Sequence, residues 1–111
     1  MEDFYLGAFE EIVLLAICGT DGDAYAVTIQ QHIEERAGRP ASVGSVYRTL
    51  NRLEKKGFVK SWMGEVTRVR GGKRKRFYRI TSSGTGRLLA VRESRSRLWK
   101  DLELKPSLGA G

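Results

Sequence analysis

The stretch Ser42–Thr81 decides the fold and reads SVGSVYRTLNRLEKKG followed by FVKSWMGEVTRVRGGKRKRFYRIT. Its first half predicts a helix, because a serine that can cap the helix precedes a series of apolar residues and Gly57 can end it. Those apolar residues recur at helical spacing and are Val43, Val46, Leu50 and Leu53. The second half predicts two strands, because β-branched and aromatic residues lie on both sides of Gly71-Gly72-Lys73, which suits a turn.

The charge of this stretch indicates a polyanionic partner. Between Tyr47 and Arg79 there are twelve Lys or Arg and two Glu, a net charge of +10, whereas the whole chain carries +7. Residues 1–40 are net negative and residues 41–111 are net positive, which would orient the molecule as it approaches a polyanion. A helix followed by a basic hairpin is the arrangement of a winged helix-turn-helix on duplex DNA. A solvated basic face is the plainer alternative.

Two groups of side chains are the candidate DNA contacts. On the predicted recognition helix, arginines can pair with guanine edges, and hydroxyls can contact bases or phosphates. These candidates are Ser42, Ser45, Tyr47, Arg48, Thr49 and Arg52. On the predicted hairpin, a dense basic run would repel itself unless an anion lay nearby, so we interpret it as a phosphate clamp. This run consists of Arg68, Arg70, Lys73, Arg74, Lys75 and Arg76.

Three further helices complete the predicted fold. Apolar periodicity predicts helices over residues 3–18 and 24–37, the second capped by Asp23, and a last helix over residues 83–104 capped by Thr81 or Ser82. The expected fold class is α+β and mostly helical: a winged helix-turn-helix with a two-stranded β-wing and a C-terminal dimerisation helix. Residues 1–81 would form the DNA-binding domain, residues 82–104 the dimerisation helix of the same unit, and residues 105–111 a frayed tail.

The first and last helices carry more apolar residues than one small core requires. A terminal helix with a heptad-like stripe suggests a partner helix, most simply from an identical subunit. The residues expected in this homodimer are Leu6, Phe9, Val13, Leu88, Val91, Leu98, Trp99 and Leu102. Two alternatives remain: ordinary core packing of the first helix, and folding of the last helix onto the first helix of the same chain.

Composition bounds the remaining possibilities. A chain of 111 residues suits one domain, and it contains no apolar run long enough to cross a membrane. One cysteine and an acidic N-terminus fit a soluble protein of the reducing cytoplasm. With a single His and a single Cys, the sequence offers no catalytic residues, no metal ligands and no cofactor motif, so we do not expect an enzyme.

Three groups of residues resemble the PadR family of bacterial transcriptional regulators. They are Ser42-Val43-Gly44-Ser45-Val46-Tyr47, then Leu50-Asn51-Arg52-Leu53-Glu54 with Gly57, and Gly72-Lys73-Arg74-Lys75-Arg76-Phe77-Tyr78-Arg79-Ile80-Thr81 with Gly84. The resemblance spans Leu6 to Leu89. It implies a winged helix whose C-terminal helix packs on the partner's N-terminal helix, and a dimer that represses transcription by binding operator DNA.

The resemblance also has two departures and one further implication. The chain has Tyr25-Ala26-Val27-Thr28-Ile29 where the family commonly has Tyr-Gly-Tyr-Glu-Ile, and Arg48 where a proline often follows the tyrosine. The second departure adds a cation where DNA would lie. Because some short family members bind aromatic compounds between subunits, the resemblance implies a small aromatic effector near Trp99. The alternative is that Trp99 packs in the core.

Three functions therefore follow from the sequence. The leading prediction is a sequence-specific transcriptional regulator that acts as a homodimer on an inverted repeat of double-stranded DNA. An RNA-binding winged-helix module is the second, although Phe77 and Tyr78 look like strand core and not like an exposed stacking platform. A protein–protein adaptor that uses the winged fold for its surface is the third.

Overall fold

A computed structural model describes residues 5–64 and 74–106 of the chain. In this part of the chain, four helices and two strands follow in the order α1 (Ala8–Gly19), α2 (Ala26–Ala37), α3 (Val43–Lys55), β1 (Val59–Met63), β2 (Arg76–Ile80) and α4 (Ser82–Trp99). The predicted glycine turn, together with Val66 and Val69, lies outside the described residues. The predicted order of helices and strands is otherwise present.

The core lies where α1, α2 and α3 meet the base of the hairpin. Val13 and Leu14 of α1, Ile29 and Ile33 of α2, and three apolar residues of α3 are buried together with Phe58. The strands pair in antiparallel fashion, with Val59 opposite Ile80 and Met63 opposite Arg76. Val59 and Tyr78 enter the core from the sheet, so the base of the hairpin is fixed against the helices.

The structure corrects the starts of the first two helices. The predicted start of α1 at residue 3 is wrong: α1 starts at Ala8, because the backbone of Gly7 is extended and its N–H donates a hydrogen bond of 2.7 Å to Glu10 Oε1. The start of α2 is Ala26 and not residue 24. The Tyr25 N–H donates to Thr28 Oγ1 at 3.0 Å, so the first turn is closed by Thr28, and Asp23 does not cap it.

The third helix has the predicted cap, whereas the fourth helix is shorter than predicted. Ser42 Oγ accepts a hydrogen bond of 3.1 Å from the Ser45 N–H, as a capping serine should. Thr81 caps α4 in the same way through the Gly84 N–H. The end of α4 is Trp99 and not residue 104, because the backbone of Lys100 leaves the helical region and Asp101 is left-handed with φ 62°.

The start of α4 lies very close to the hairpin, and Gly84 makes this approach possible. A Cβ at Gly84 would overlap the carbonyl oxygen of Phe58 and lie 2.8 Å from Ile80 Cγ1. A glycine is therefore required by packing at position 84. None of the helices in residues 5–64 and 74–106 has the length and apolar character needed to span a membrane.

Candidate nucleic-acid interface

One face of α3 is buried in the core and the opposite face is open to solvent. The buried side chains are those of Val46, Thr49, Leu50 and Leu53. The exposed face follows the same helical spacing and consists of Gly44, Tyr47, Arg48, Asn51 and Lys55, with Arg52 at its margin. The polar side of the predicted recognition helix is therefore available to a partner along its length.

The predicted role of Thr49 in DNA contact is wrong. Thr49 is 1% exposed, and its hydroxyl donates a 2.8 Å hydrogen bond to the Ser45 carbonyl. A threonine can be buried on a helix in this way because the preceding turn satisfies its hydroxyl. Position 49 thus belongs to the core side of α3, and we remove it from the candidate contacts.

The two arginines of α3 have different surroundings. Arg48 is exposed, and among the described residues it makes no hydrogen bond or ion pair. The guanidinium of Arg52, by contrast, donates to Thr49 Oγ1 at 3.1 Å and lies 3.6 Å from Glu10 Oε2. Arg48 can therefore turn toward a ligand without breaking a contact, whereas Arg52 would have to leave Glu10.

Glu10 connects α1 to the end of α3. Its side chain is buried, and it accepts hydrogen bonds of 2.8 and 2.9 Å from the Lys56 ammonium, in addition to the bond from Gly7. Burial by itself would raise the pKa of Glu10, but the hydrogen bonds from Lys56 and Gly7 and the charges of Lys56 and Arg52 outweigh it. The pKa of Glu10 is therefore lowered from its ordinary value of 4.5. This carboxylate stays ionised and orients α3 from inside the protein.

The described part of the basic hairpin is connected to α3 by side-chain hydrogen bonds. Arg76 Nη1 donates to Ser61 Oγ at 3.0 Å, and Ser61 Oγ donates to Glu54 of α3 at 2.7 Å. This chain of hydrogen bonds ties the exposed end of the sheet to the recognition helix. The hairpin is therefore not folded away from α3.

The side chains of two more basic hairpin residues, Arg74 and Lys75, also make contacts within the chain. Arg74 Nε donates to the Gly64 carbonyl at 2.8 Å, and Lys75 Nζ lies 3.2 Å from Tyr25 Oη and 4.5 Å from the centre of that ring. Both residues remain exposed, so they can also meet an anion. The other predicted clamp residues, Arg68, Arg70 and Lys73, lie outside the described residues.

The predicted dimer residues fall into two groups. Leu6, Phe9, Leu88 and Val91 are half-buried against or beside the core, and Leu98, Trp99 and Leu102 are exposed. Val13 is completely buried within one chain, so its assignment to a dimer surface is wrong. Leu15, in contrast, is exposed and lies beside a groove of about 290 Å³ between α1 and α2.

The part of α4 up to Arg95 folds back onto α1 of the same chain. Arg95 donates to Glu11 at 2.9 Å, and Leu88 packs against the core. Beyond Arg95 every residue of α4 is exposed, including Leu98 at 77%. The alternative of intrachain packing therefore describes α4 as far as Arg95, while Leu98 and Trp99 at its end expose apolar side chains.

Two residues of the exposed α3 face were missed as candidate contacts. Asn51 and Lys55 lie on the same line of the helix as Arg48, directly opposite the buried side chains, but the sequence interpretation chose neighbours to one side of that line, namely Ser45, Thr49 and Arg52. Placing all thirteen residues of α3 at 100° per residue would have found both. Within the described residues, no group of three or more His, Cys, Asp or Glu side chains could hold a metal ion.

Comparisons with known proteins agree with this geometry. The model of the transcriptional regulator PadR-like family matches residues 14–90. A Lysinibacillus sphaericus protein named uncharacterized protein X is 36% identical over 84 residues, which are 74% of this chain and 72% of that protein. The residues that the family model matches include the second half of α1, all of α2 and α3, both strands and the first half of α4.

Solved structures share the same architecture. A transcriptional regulator from Clostridium thermocellum is 29% identical, with a TM-score of 0.66 over 82% of this chain and 85% of that chain. A PadR family transcription regulator from Clostridium difficile R20291 is 25% identical, with a TM-score of 0.65 over 84% of this chain and 92% of that chain. The predicted fold class, a mostly helical winged helix-turn-helix, is confirmed; a dimerisation role for α4 stays a prediction.

Proposed function

The chain belongs to the PadR-like family of transcriptional regulators, which are not enzymes, and on this premise we propose that it represses transcription as a homodimer on operator DNA. The observation that carries the proposal is the exposed polar face of α3, on which Arg48 makes no hydrogen bond or ion pair with another described residue. Hydrogen bonds through Ser61 connect Arg76 of the basic hairpin to Glu54 of the same helix. In such an arrangement the helix enters the major groove and the hairpin follows neighbouring phosphates.

The dependence of affinity on salt tests the DNA-binding part of the proposal. A hairpin and helix that neutralise several phosphates release counterions, so the affinity should fall steeply as the salt concentration rises. Fluorescence anisotropy with a duplex selected from random sequences measures this slope. A flat slope would contradict the proposal, and stronger binding to RNA than to duplex DNA would favour the RNA-binding alternative.

Two substitutions distinguish contacts that recognise DNA bases from contacts that raise the affinity for any duplex. Arg48→Ala should relax the preference at one base pair of the selected site, because an arginine paired with guanine contributes about 1–3 kcal/mol of discrimination. Arg74→Ala should weaken binding to all duplexes alike and lower the salt slope by about one. Equal and uniform losses from both substitutions would mean that α3 does not read bases.

A homodimer is supported by the apolar surface at the end of α4 and by the groove beside Leu15. Leu98, Trp99 and Leu102 are exposed leucine and tryptophan side chains on a short segment, which single chains seldom leave uncovered. Two copies would place two α3 helices about 34 Å apart, facing successive major grooves of an inverted repeat. A selected site without a repeat would contradict this arrangement.

The direction of regulation and the effector have their own tests. A reporter gene placed behind the selected operator should be expressed less when the protein is present; higher expression would identify an activator. The aromatic effector stays a prediction that depends on Trp99. Quenching of tryptophan fluorescence by a phenolic compound, retained in Trp62→Phe and lost in Trp99→Phe, would support it.

A further inference from the structure

Two poor helix formers lie at the centre of the exposed face of α3. Gly44 and Asn51 are seven residues apart, which is within about 20° of two complete turns, so they lie on one line along the helix. Glycine and asparagine both disfavour helices relative to alanine. Arg48 lies between them on nearly the same line. The sequence therefore places helix-disfavouring residues on the surface that contacts no other described part of the protein.

The fold does not require a glycine at position 44. A Cβ there would meet only Arg48 Nη1, at the ordinary contact distance of 3.4 Å, and Gly44 has no left-handed backbone. Gly84 of α4 is the opposite case, since its Cβ would overlap the Phe58 carbonyl oxygen. Because nothing inside the described protein needs Gly44, the missing side chain matters only for something that approaches α3 from outside.

Asn51 likewise has no role within the described protein. It is exposed, and among the described residues its side chain makes no hydrogen bond. An asparagine amide presents one donor and one acceptor side by side, and this pair matches the N6 and N7 edge of adenine in the major groove. The neighbouring cations Arg48 and Lys55 would hold the same stretch of DNA.

We propose that Gly44 lets the backbone of α3 approach the floor of the major groove closely. This close approach allows the Asn51 amide to form hydrogen bonds with the N6 and N7 edge of an adenine. Arg48 and Asn51 are separated by about 4.5 Å along the helix axis, which is close to the ~3.4 Å spacing of base pairs. The adenine therefore lies next to the base pair that Arg48 contacts. This inference rests on the proposed DNA-binding function and adds to it the residues that determine specificity.

Gly44→Ala tests the close approach, with Gly86→Ala on α4 as the matched control. A Cβ at Gly86 would meet nothing within 4 Å, so both substitutions exchange an unconstrained helical glycine for alanine. Both variants should melt at the same temperature as the wild type or up to about 5 °C higher. Only Gly44→Ala should lose affinity, by roughly tenfold or more on every duplex.

Asn51→Ala tests the adenine contact in combination with a modified base. In the selected operator, each adenine is replaced in turn by 7-deazaadenine, which lacks the N7 acceptor. At one adenine the wild type should lose roughly 5- to 100-fold in affinity, while Asn51→Ala should bind both duplexes equally. Asn51→Asp, which keeps the size but removes the amide donors, should bind the operator less tightly than Asn51→Ala.

The outcomes distinguish this inference from the proposed function. A wild-type protein that selects no duplex from a random pool contradicts the proposed function. A wild type that binds its operator, together with a Gly44→Ala variant within twofold of it, overturns the close approach. An Asn51→Ala variant as sensitive as the wild type to every 7-deazaadenine overturns the adenine contact.

Discussion

Glu10 attaches the start of α1 to the end of α3. It is 5% exposed and bound to Lys56, Arg52 and the Gly7 N–H, so it holds the start of α1 against the end of α3. This role was not predictable from the sequence, because a glutamate in the first turn of a helix usually stabilises that turn from the surface. Its charged partners, Lys56 and Arg52, lie more than forty residues away.

Glu10→Gln should lower the free energy of unfolding by about 1–3 kcal/mol, because the variant leaves the Lys56 ammonium without its counter-ion. Urea unfolding at pH 7 measures the change. Glu93→Gln is the control: Glu93 pairs with Arg97 on the surface of α4, where both side chains are mostly exposed, and the change should stay within about 0.5 kcal/mol. Equal effects of both substitutions would contradict the internal role of Glu10.

The lowered pKa of Glu10 predicts a specific dependence on pH. Folding favours the ionised carboxylate, so its stabilisation is fully present above the ordinary pKa of 4.5 and is lost as the pH falls through the lower pKa of the folded state. The difference in unfolding free energy between the wild type and Glu10→Gln should therefore be constant near neutral pH and shrink in acid. A difference that grows below pH 4.5 would contradict this sign.

Among the helices and strands, α3 was the best predicted because its signals are local. Ser42 caps its start, Gly57 follows its end with φ 80°, and the apolar spacing between them identifies the buried face. The starts of α1 and α2 were wrong because Glu10 and Thr28 close the first turns from inside the helix. Thr49 was misplaced because composition alone does not reveal a hydroxyl bonded to its own helix.

The contact between α4 and the hairpin predicts a large effect of a small substitution. Gly84→Ala should lower the free energy of unfolding by about 1–3 kcal/mol, because the added methyl group overpacks the contact with the Phe58 carbonyl. Thermal melting and urea unfolding measure the loss. Gly86→Ala, two residues further along α4, should be neutral or stabilising. An equally stable Gly84→Ala variant would show that α4 can shift away from the hairpin without cost.

For the whole molecule, the apolar end of α4 predicts the oligomeric state. Leu98→Glu should shift the protein toward monomers, because it places a charge on the surface that we assign to the dimer. Analytical ultracentrifugation across a concentration series measures this shift, and the affinity for the inverted repeat should fall with it. Ser96→Glu adds the same charge on another side of α4 and should leave the dimer intact. A wild type that stays monomeric at every concentration would contradict the assignment.

The sequence predicted the separation of charge between the two halves of the chain better than it predicted which apolar residues are exposed for contact with a second subunit. Charge separation is a property of the residue list and survives folding, so the basic half was identifiable at once. Which apolar residues lie between subunits depends on the depth at which each is buried within one chain. Val13 and Leu15, two residues apart on α1, have opposite surroundings for this reason.

In the proposed dimer, the attachment of Glu10 to Lys56 would have a consequence for signalling between the subunits. One side of α1 borders the groove beside Leu15, while Glu10 at its start grips the segment just after α3. A displacement of α1 at the subunit boundary would therefore move α3 in the same subunit. If the two α3 helices of the dimer moved in opposite directions, the distance between them would change. Only an operator whose half-site spacing matches the new distance would then bind both helices.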